Sequence, residues 1–149
     1  MVEPRVPELS FETIHASCVA IDGRAVLIEG RSGEGKSDLA LRLIDRGAVL
    51  VSDDYTVLSA SQDRLLASPP ATIAGRMEVR GIGIVSMAHA ALVPVALLVR
   101  LADRVERLPE AESRWFEGVP VPAIALDPHE ASAPIKVELA LRHLLGHRA

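Results

Sequence analysis

Residues 30–37 read "GRSGEGKS", the spacing G-x-x-x-x-G-K-S of a loop that cradles phosphate. Gly30, Gly33 and Gly35 let consecutive backbone N–H groups turn inward around phosphate oxygens, with Arg31, Ser32 and Glu34 between them. Lys36 is then placed to reach the β/γ-phosphates of a nucleotide, and the Ser37 hydroxyl to reach Mg²⁺. From average residue frequencies, a chance match in a chain of 149 residues is roughly a one-in-a-hundred event. The flanks lower it further, because the apolar run "AVLIE" precedes the loop and a helical period follows it.

Upstream, "IHASCVAIDGRAVLIEG" holds two β-rich runs around Asp22-Gly23, a hairpin signal. The strand entering the loop thus has an antiparallel neighbour, which predicts a mixed sheet. Downstream, Leu39, Ala40, Leu43 and Ile44 share an apolar helix face, Asp38 and Arg42 pair at i,i+4, and Gly47 closes the helix. Lys36 is expected on the exposed side of its first turn. "AVLV" (48–51) reads as a strand buried on both faces, completing a βαβ unit. "YTVLSA" and "RLLAS" predict a second hairpin, "RMEVRGIGIVSM" a strand broken by glycines, and "PVALLVRLA" and "VPAIALD" two further strands. Residues 103–120 read as a long connection, and Ser132 and Pro134 open a last helix. Residues 1–10 read as an extended arm, so that 1–149 form one domain.

Three groups carry candidate chemistry beside the loop. Asp53 and Asp54 follow "AVLV" at the edge of the sheet where the loop sits, as an acidic turn or as a Mg²⁺ carboxylate and a general base. Adjacent residues at a strand end point in different directions, so the pair can divide those tasks. Glu78 and Arg80 fall on one face of "MEVRGIGIV", either as a surface ion-pair ladder beside a bulge or as a metal ligand and a phosphoryl-holding cation. His15 stands alone on the first strand, opposite Ile14 and Ala16, a placement more often structural than catalytic.

Composition excludes several classes. The net charge of −4, without a basic block, argues against nucleic-acid binding. No apolar run reaches membrane-spanning length and no signal-peptide pattern is present, so a cytoplasmic protein without membrane contact is expected. The single Cys18 lies in an apolar run and reads as a buried thiol.

In order, His15, "GRSGEGKS", "SDD" (52–54) and "MEVRGIGIV" resemble the catalytic domain of HPr kinase/phosphorylase, over residues 15 to about 108. The resemblance implies an α/β P-loop domain with a mixed β-sheet, related to phosphoenolpyruvate carboxykinase, usually assembled as a homo-hexamer. It implies phosphorylation by ATP of a serine of the phosphocarrier HPr, within the phosphotransferase system, and removal of that phosphate by inorganic phosphate. Gly30 to Ser37 would bind ATP; Ser37, Glu78 and one aspartate (Asp54 foremost) would hold Mg²⁺. One of Asp53 and Asp54 would be the base, His15 its partner, and Arg80 and Arg107 cations of the site. Against the family pattern a short form without the family's N-terminal domain is expected, and "DPHEASAP" (127–134) stands where the resemblance implies an arginine tied to dephosphorylation. This predicts that the kinase direction dominates. The rival readings are a small-molecule or carboxykinase-like phosphotransferase, and a nucleotide-sensing module without turnover.

Overall fold

The computed structural model describes residues 10–146; apart from Ser10, the expected N-terminal arm lies outside them. The elements are β1 (Ser10–Ile14), β2 (Ala16–Ile21), β3 (Arg24–Glu29), α1 (Lys36–Asp45), β4 (Val49–Ser52), β5 (Thr56–Ser61), β6 (Arg64–Ser68), β7 (Arg76–Val79), β8 (Gly83–Ser86), β9 (Val93–Leu101), β10 (Glu112–Phe116), β11 (Val119–Leu126) and α2 (Ala133–Gly146). The Asp22-Gly23 signal holds: both residues have positive φ (50° and 76°), and β2 and β3 pair antiparallel across them. Helix α1 ends as its sequence predicts, with the N–H of Gly47 on Ile44 O and that of Ala48 on Leu43 O.

The sheet is mixed. β3 is parallel to β9, β9 is parallel to β11, and β2 lies antiparallel between β3 and β4. β3, β4, β9 and β11 therefore point the same way, and their C-terminal ends share one edge. At its start, Val93–Pro94, β9 pairs antiparallel with β6, which joins an antiparallel layer of β6, β5 and β1.

Alternation along the central strands builds a core on each face. Val19, Val26, Ile28, Leu50, Leu97 and Val99 pack against the helices through Leu39, Leu43, Val137 and Leu141. Cys18, Ala20, Leu27, Val51 and Leu98 pack against Leu58, Leu65 and Ala67 of the β5–β6 hairpin. Each fully buried leucine contributes about 1.5–3 kcal/mol over its exposed state. Trimming one such as Leu43 to alanine costs about 2–5 kcal/mol.

Three expectations are corrected and one, the burial of β4, is refined. His15 is not within a strand but at the bend between β1 and β2, where the chain leaves one layer for the other. Among the described residues β4 pairs with β2 and makes a single bridge to His89, so it is an edge strand; even so both its faces are covered as expected, Leu50 in the first core and Val51 in the second, with Val49 exposed. Residues 103–120 contain β10, an edge strand paired to β11 that buries Phe116. "RMEVRGIGIVSM" is not one interrupted strand but a hairpin, β7–β8, forming its own two-stranded sheet.

Candidate active site

The ends of β3, β4 and β11 deliver three loops to one edge of the sheet, where open α/β sheets receive ligands. β2 runs the other way, so its first residues join that edge, with Ala16 opposite Glu29. The cleft there has a volume of about 670 Å³ and is lined by the phosphate loop, Asp53, Asp54, the β7–β8 hairpin and Pro128–His129.

The loop turns through Gly33 (φ 84°) and Gly35 (φ 107°) and runs directly into α1. Gly35 also lies against the next wall, since a Cβ there would stand 3.6 Å from Pro128. Arg31 N–H donates to the Glu34 carboxylate, and Glu34 N–H returns to Arg31 O at 3.0 Å, closing the loop on itself. Lys36 is buried at 5% exposure, which corrects its expected exposed placement. Its ammonium folds back over the loop, donating to Gly30 O at 2.9 Å and Arg31 O at 3.3 Å.

The two aspartates differ sharply. Asp53 is 7% exposed, and its Oδ1 accepts from Ser37 Oγ at 2.6 Å and from Ser17 Oγ at 3.2 Å. Its Oδ2 accepts the N–H of Glu78 at 3.1 Å. Three donors compensate the burial of this carboxylate. Asp54 sits in the left-handed region (φ 66°), a conformation that aspartate tolerates better than most residues. Its N–H donates to Ser17 Oγ at 3.0 Å, and its side chain turns outward, 48% exposed. There Oδ1 accepts from His15 Nε2 at 2.7 Å and lies 3.7 Å from Lys36 Nζ. The His15 ring is stacked on Tyr55, with centroids 5.0 Å apart. Asp53, not Asp54, is thus the carboxylate beside Ser37, while Asp54 faces the open cleft with a histidine and an ammonium beside it.

The hairpin forms a flap over this pair. Met77 anchors it in the core, the Glu78 N–H ties it to Asp53, and Arg80 stands at its turn and lines the cleft. The Glu78 side chain is exposed. Among the described residues, no group of three or more His, Cys, Asp and Glu side chains is gathered to hold a metal ion.

The expected site residues converge with one exception. Ser32 to Ser37, Asp53, Asp54, Glu78 and Arg80 line the cleft; Gly30 and Arg31 carry the carbonyls that hold Lys36, and His15 reaches the site through Asp54. Arg107 does not line it. The exposed segment 103–111 carries the chain past β11 to β10, on the far side of β11 from β9. Sequence reasoning missed Ser17, whose hydroxyl serves both aspartates; its only signal was a polar residue in an apolar run. It also missed Tyr55 behind His15, and Arg42, which binds Pro128 O at 2.7 Å. Cys18 is fully buried, and burial pushes its thiol pKa well above the ordinary value, so it is no nucleophile. A shallower depression of about 500 Å³ lies by Asp22, Gly47 and Leu92 and gathers no cluster of titratable groups.

Comparisons with known proteins agree on one family. The sequence model described as HPr Serine kinase C-terminal domain matches residues 8–91. A protein from Clostridium botulinum (strain Eklund 17B / Type B) named HPr kinase/phosphorylase is 43% identical over 81 residues, covering 54% of this chain and 27% of the relative. One of the same name from Thermoanaerobacter sp. (strain X514) is 47% identical over 76 residues, covering 50% and 25%. The match thus spans about a quarter of each relative's length. The solved structure of the Hpr(Ser) kinase/phosphatase from Coxiella burnetii superposes with a TM-score of 0.80 at 31% identity, covering 93% of this chain and 99% of that one.

Proposed function

The chain belongs to the HPr serine kinase C-terminal domain family, and from that premise we propose that it transfers the γ-phosphoryl group of ATP to a serine of the phosphocarrier HPr. The observation that carries the reading is the division of the aspartate pair. One carboxylate is buried on Ser37; its neighbour is turned into the cleft between His15 and Lys36.

Phosphoryl transfer asks mainly for positioning and charge neutralisation. The N–H groups of residues 33–37 and the positive end of α1 hold the donor's phosphates, and Lys36 supplies a buried cation beside them. The residues fit a Mg²⁺ ion: the Ser37 hydroxyl and the Asp53 carboxylate are adjacent hard oxygen donors, and Mg²⁺ uses one or two such groups together with phosphates and water. Glu78 extends the acidic wall from the flap. When bound, the ion would offset charge on the transferred group. Asp54 accepts the proton of the attacking serine, and His15, braced by Tyr55, fixes the orientation of that carboxylate. Arg80 meets the phosphoryl group from the flap.

The structural relationship to carboxykinases, a homo-hexamer, a cytoplasmic location and a role in the phosphotransferase system come with the family reading and are proposed on it alone. Among the described residues, no helix is long and apolar enough to cross a membrane. Phosphorolysis is proposed as the weaker activity. Of the cations lining the cleft, Lys36, Arg42 and Arg80, Arg42 is committed to Asp38 and to loop carbonyls.

Incubating the protein with γ-labelled ATP and HPr, then mapping the label, tests the reading. Label on an HPr serine supports it. Label on a small acceptor alone would favour a carboxykinase-like phosphotransferase, and nucleotide binding without any transfer would favour a sensing module.

A further inference from the structure

The proposed reaction engages one side of the cleft and leaves the other without a task. Along α1, residues four apart share a face. Ser37 bonds Asp53, whereas Arg42, paired with Asp38, reaches the loop that follows β11. That loop carries Pro128 and His129 into the cleft wall. It is built rather than loose: Arg42 donates to Pro128 O at 2.7 Å and Glu130 O at 3.5 Å while its Nε lies 3.1 Å from Asp38. Within the loop, His129 N–H donates to Asp127 Oδ1 at 2.9 Å. Pro128 is buried and lies against Gly35; His129 is exposed, and among the described residues its ring has no hydrogen-bond or ion-pair partner. Among the described residues no Phe, Tyr or Trp lines the cleft, and His129 is the one aromatic ring on its wall.

A nucleotide whose terminal phosphate lies at Lys36, Ser37 and Asp54 must direct its nucleoside away from the aspartates, along the start of α1. A planar base needs flat apolar or π faces more than hydrogen bonds to be held loosely. Resting on the reading of the loop as a nucleotide site, we propose that Pro128 and His129, pinned by Arg42, form the seat of the donor's nucleoside, with the base against the His129 ring. His129 is then a specificity-determining residue that separates nucleoside triphosphates from inorganic polyphosphates.

The test compares binding of ATP and of inorganic tripolyphosphate, both with Mg²⁺, to the whole chain and to its His129→Ala variant by calorimetry. The expected result is an about five- to tenfold weaker ATP affinity with tripolyphosphate affinity held within about twofold, the scale of one lost stacking contact. Arg42→Met, which frees the loop, should shift the same ratio in the same direction. Equal weakening of both ligands, or an unchanged ATP affinity in His129→Ala, would overturn the assignment. If the parent chain bound neither ligand, the nucleotide-site reading itself would fail, a result distinct from both.

Discussion

On one wall of the cleft Lys36 is 5% exposed and Asp53 7%; on the facing flap Ile82 is 77% exposed and Ile84 67%. The first wall draws residues from β2, α1 and the end of β4 into one hydrogen-bonded cluster around Asp53. The flap is rooted by Met77, by Val79 and Met87 packed against the first core, and by one bond from Glu78 N–H to Asp53. Groups that neutralise charge gain strength where water is excluded. Groups on a hairpin turn can instead move with an incoming protein. The two walls should therefore fail differently when altered.

The largest effect is expected at Lys36. Lys36→Ala should lower the transfer rate by about 100-fold or more, the scale for a lost charge-stabilising donor. It should also cost about 1–2 kcal/mol of stability, because the side chain is buried and bonded to two loop carbonyls. Steady-state transfer and a thermal melt measure both, and near-normal turnover would remove the first wall from the chemistry.

The reverse reaction comes next. Phosphorolysis must bring inorganic phosphate and phosphoserine together, and of the cations lining the cleft Arg42 is committed to Asp38 and to loop carbonyls, which leaves Lys36 and Arg80 to hold two anions. Pyrophosphate release from serine-phosphorylated HPr in excess phosphate should run at least about tenfold slower than forward transfer. Comparable rates would show that Lys36 and Arg80 suffice.

Changes on the flap should be milder and leave the fold untouched. Arg80→Ala should reduce transfer about tenfold, less than Lys36→Ala because its charge is exposed to water. Gly83→Val forces a branched side chain onto φ 123°, a local strain of about 1–3 kcal/mol. Because the tip belongs to neither core, that strain should be relieved by opening the flap locally, leaving the melting temperature within about 2 °C of the parent. A large drop in melting temperature would mean that the flap is part of the folding unit.

The smallest effect concerns Cys18. Its thiol is held neutral by burial, so native protein at pH 8 should resist iodoacetamide, whereas urea-unfolded protein should react. Because the folded pKa is the higher one, the associated stability is complete below the ordinary thiol value of about 8.5 and declines as pH rises above it. Rapid labelling of folded protein would contradict the packing of the second core.

Local signals in the chain accounted for much of this architecture. The Asp22-Gly23 turn, the glycine loop, the period of α1 and the apolar run of β9 each act within a few residues, and each produced the element it implied. What escaped was decided at long range or at the surface. β10 is short and lies at an edge, so "ESRWF" buries only Phe116 in a core and offers no repeating pattern. The hairpin turn at Gly81 looked like an interruption because β7 and β8 find partners only in each other. Ser17 meets Asp53 across 36 positions and His15 meets Asp54 across 39, contacts that no periodicity announces. The aspartate pair was legible as a site, but the task of each member was not, because it depends on which one β4 turns inward.

Nucleotide binding by Asp53→Asn and Asp54→Asn, measured side by side with ATP and Mg²⁺ and paired with transfer assays, tests that division most directly. The account predicts that Asp54→Asn binds within about twofold of the parent chain yet transfers about 10²–10⁴-fold more slowly, as for a lost general base. Asp53→Asn, which disturbs the carboxylate beside Ser37, should bind at least about tenfold more weakly. The reverse pattern, with Asp54→Asn losing the nucleotide and Asp53→Asn retaining it, would contradict the assignment of the base to Asp54.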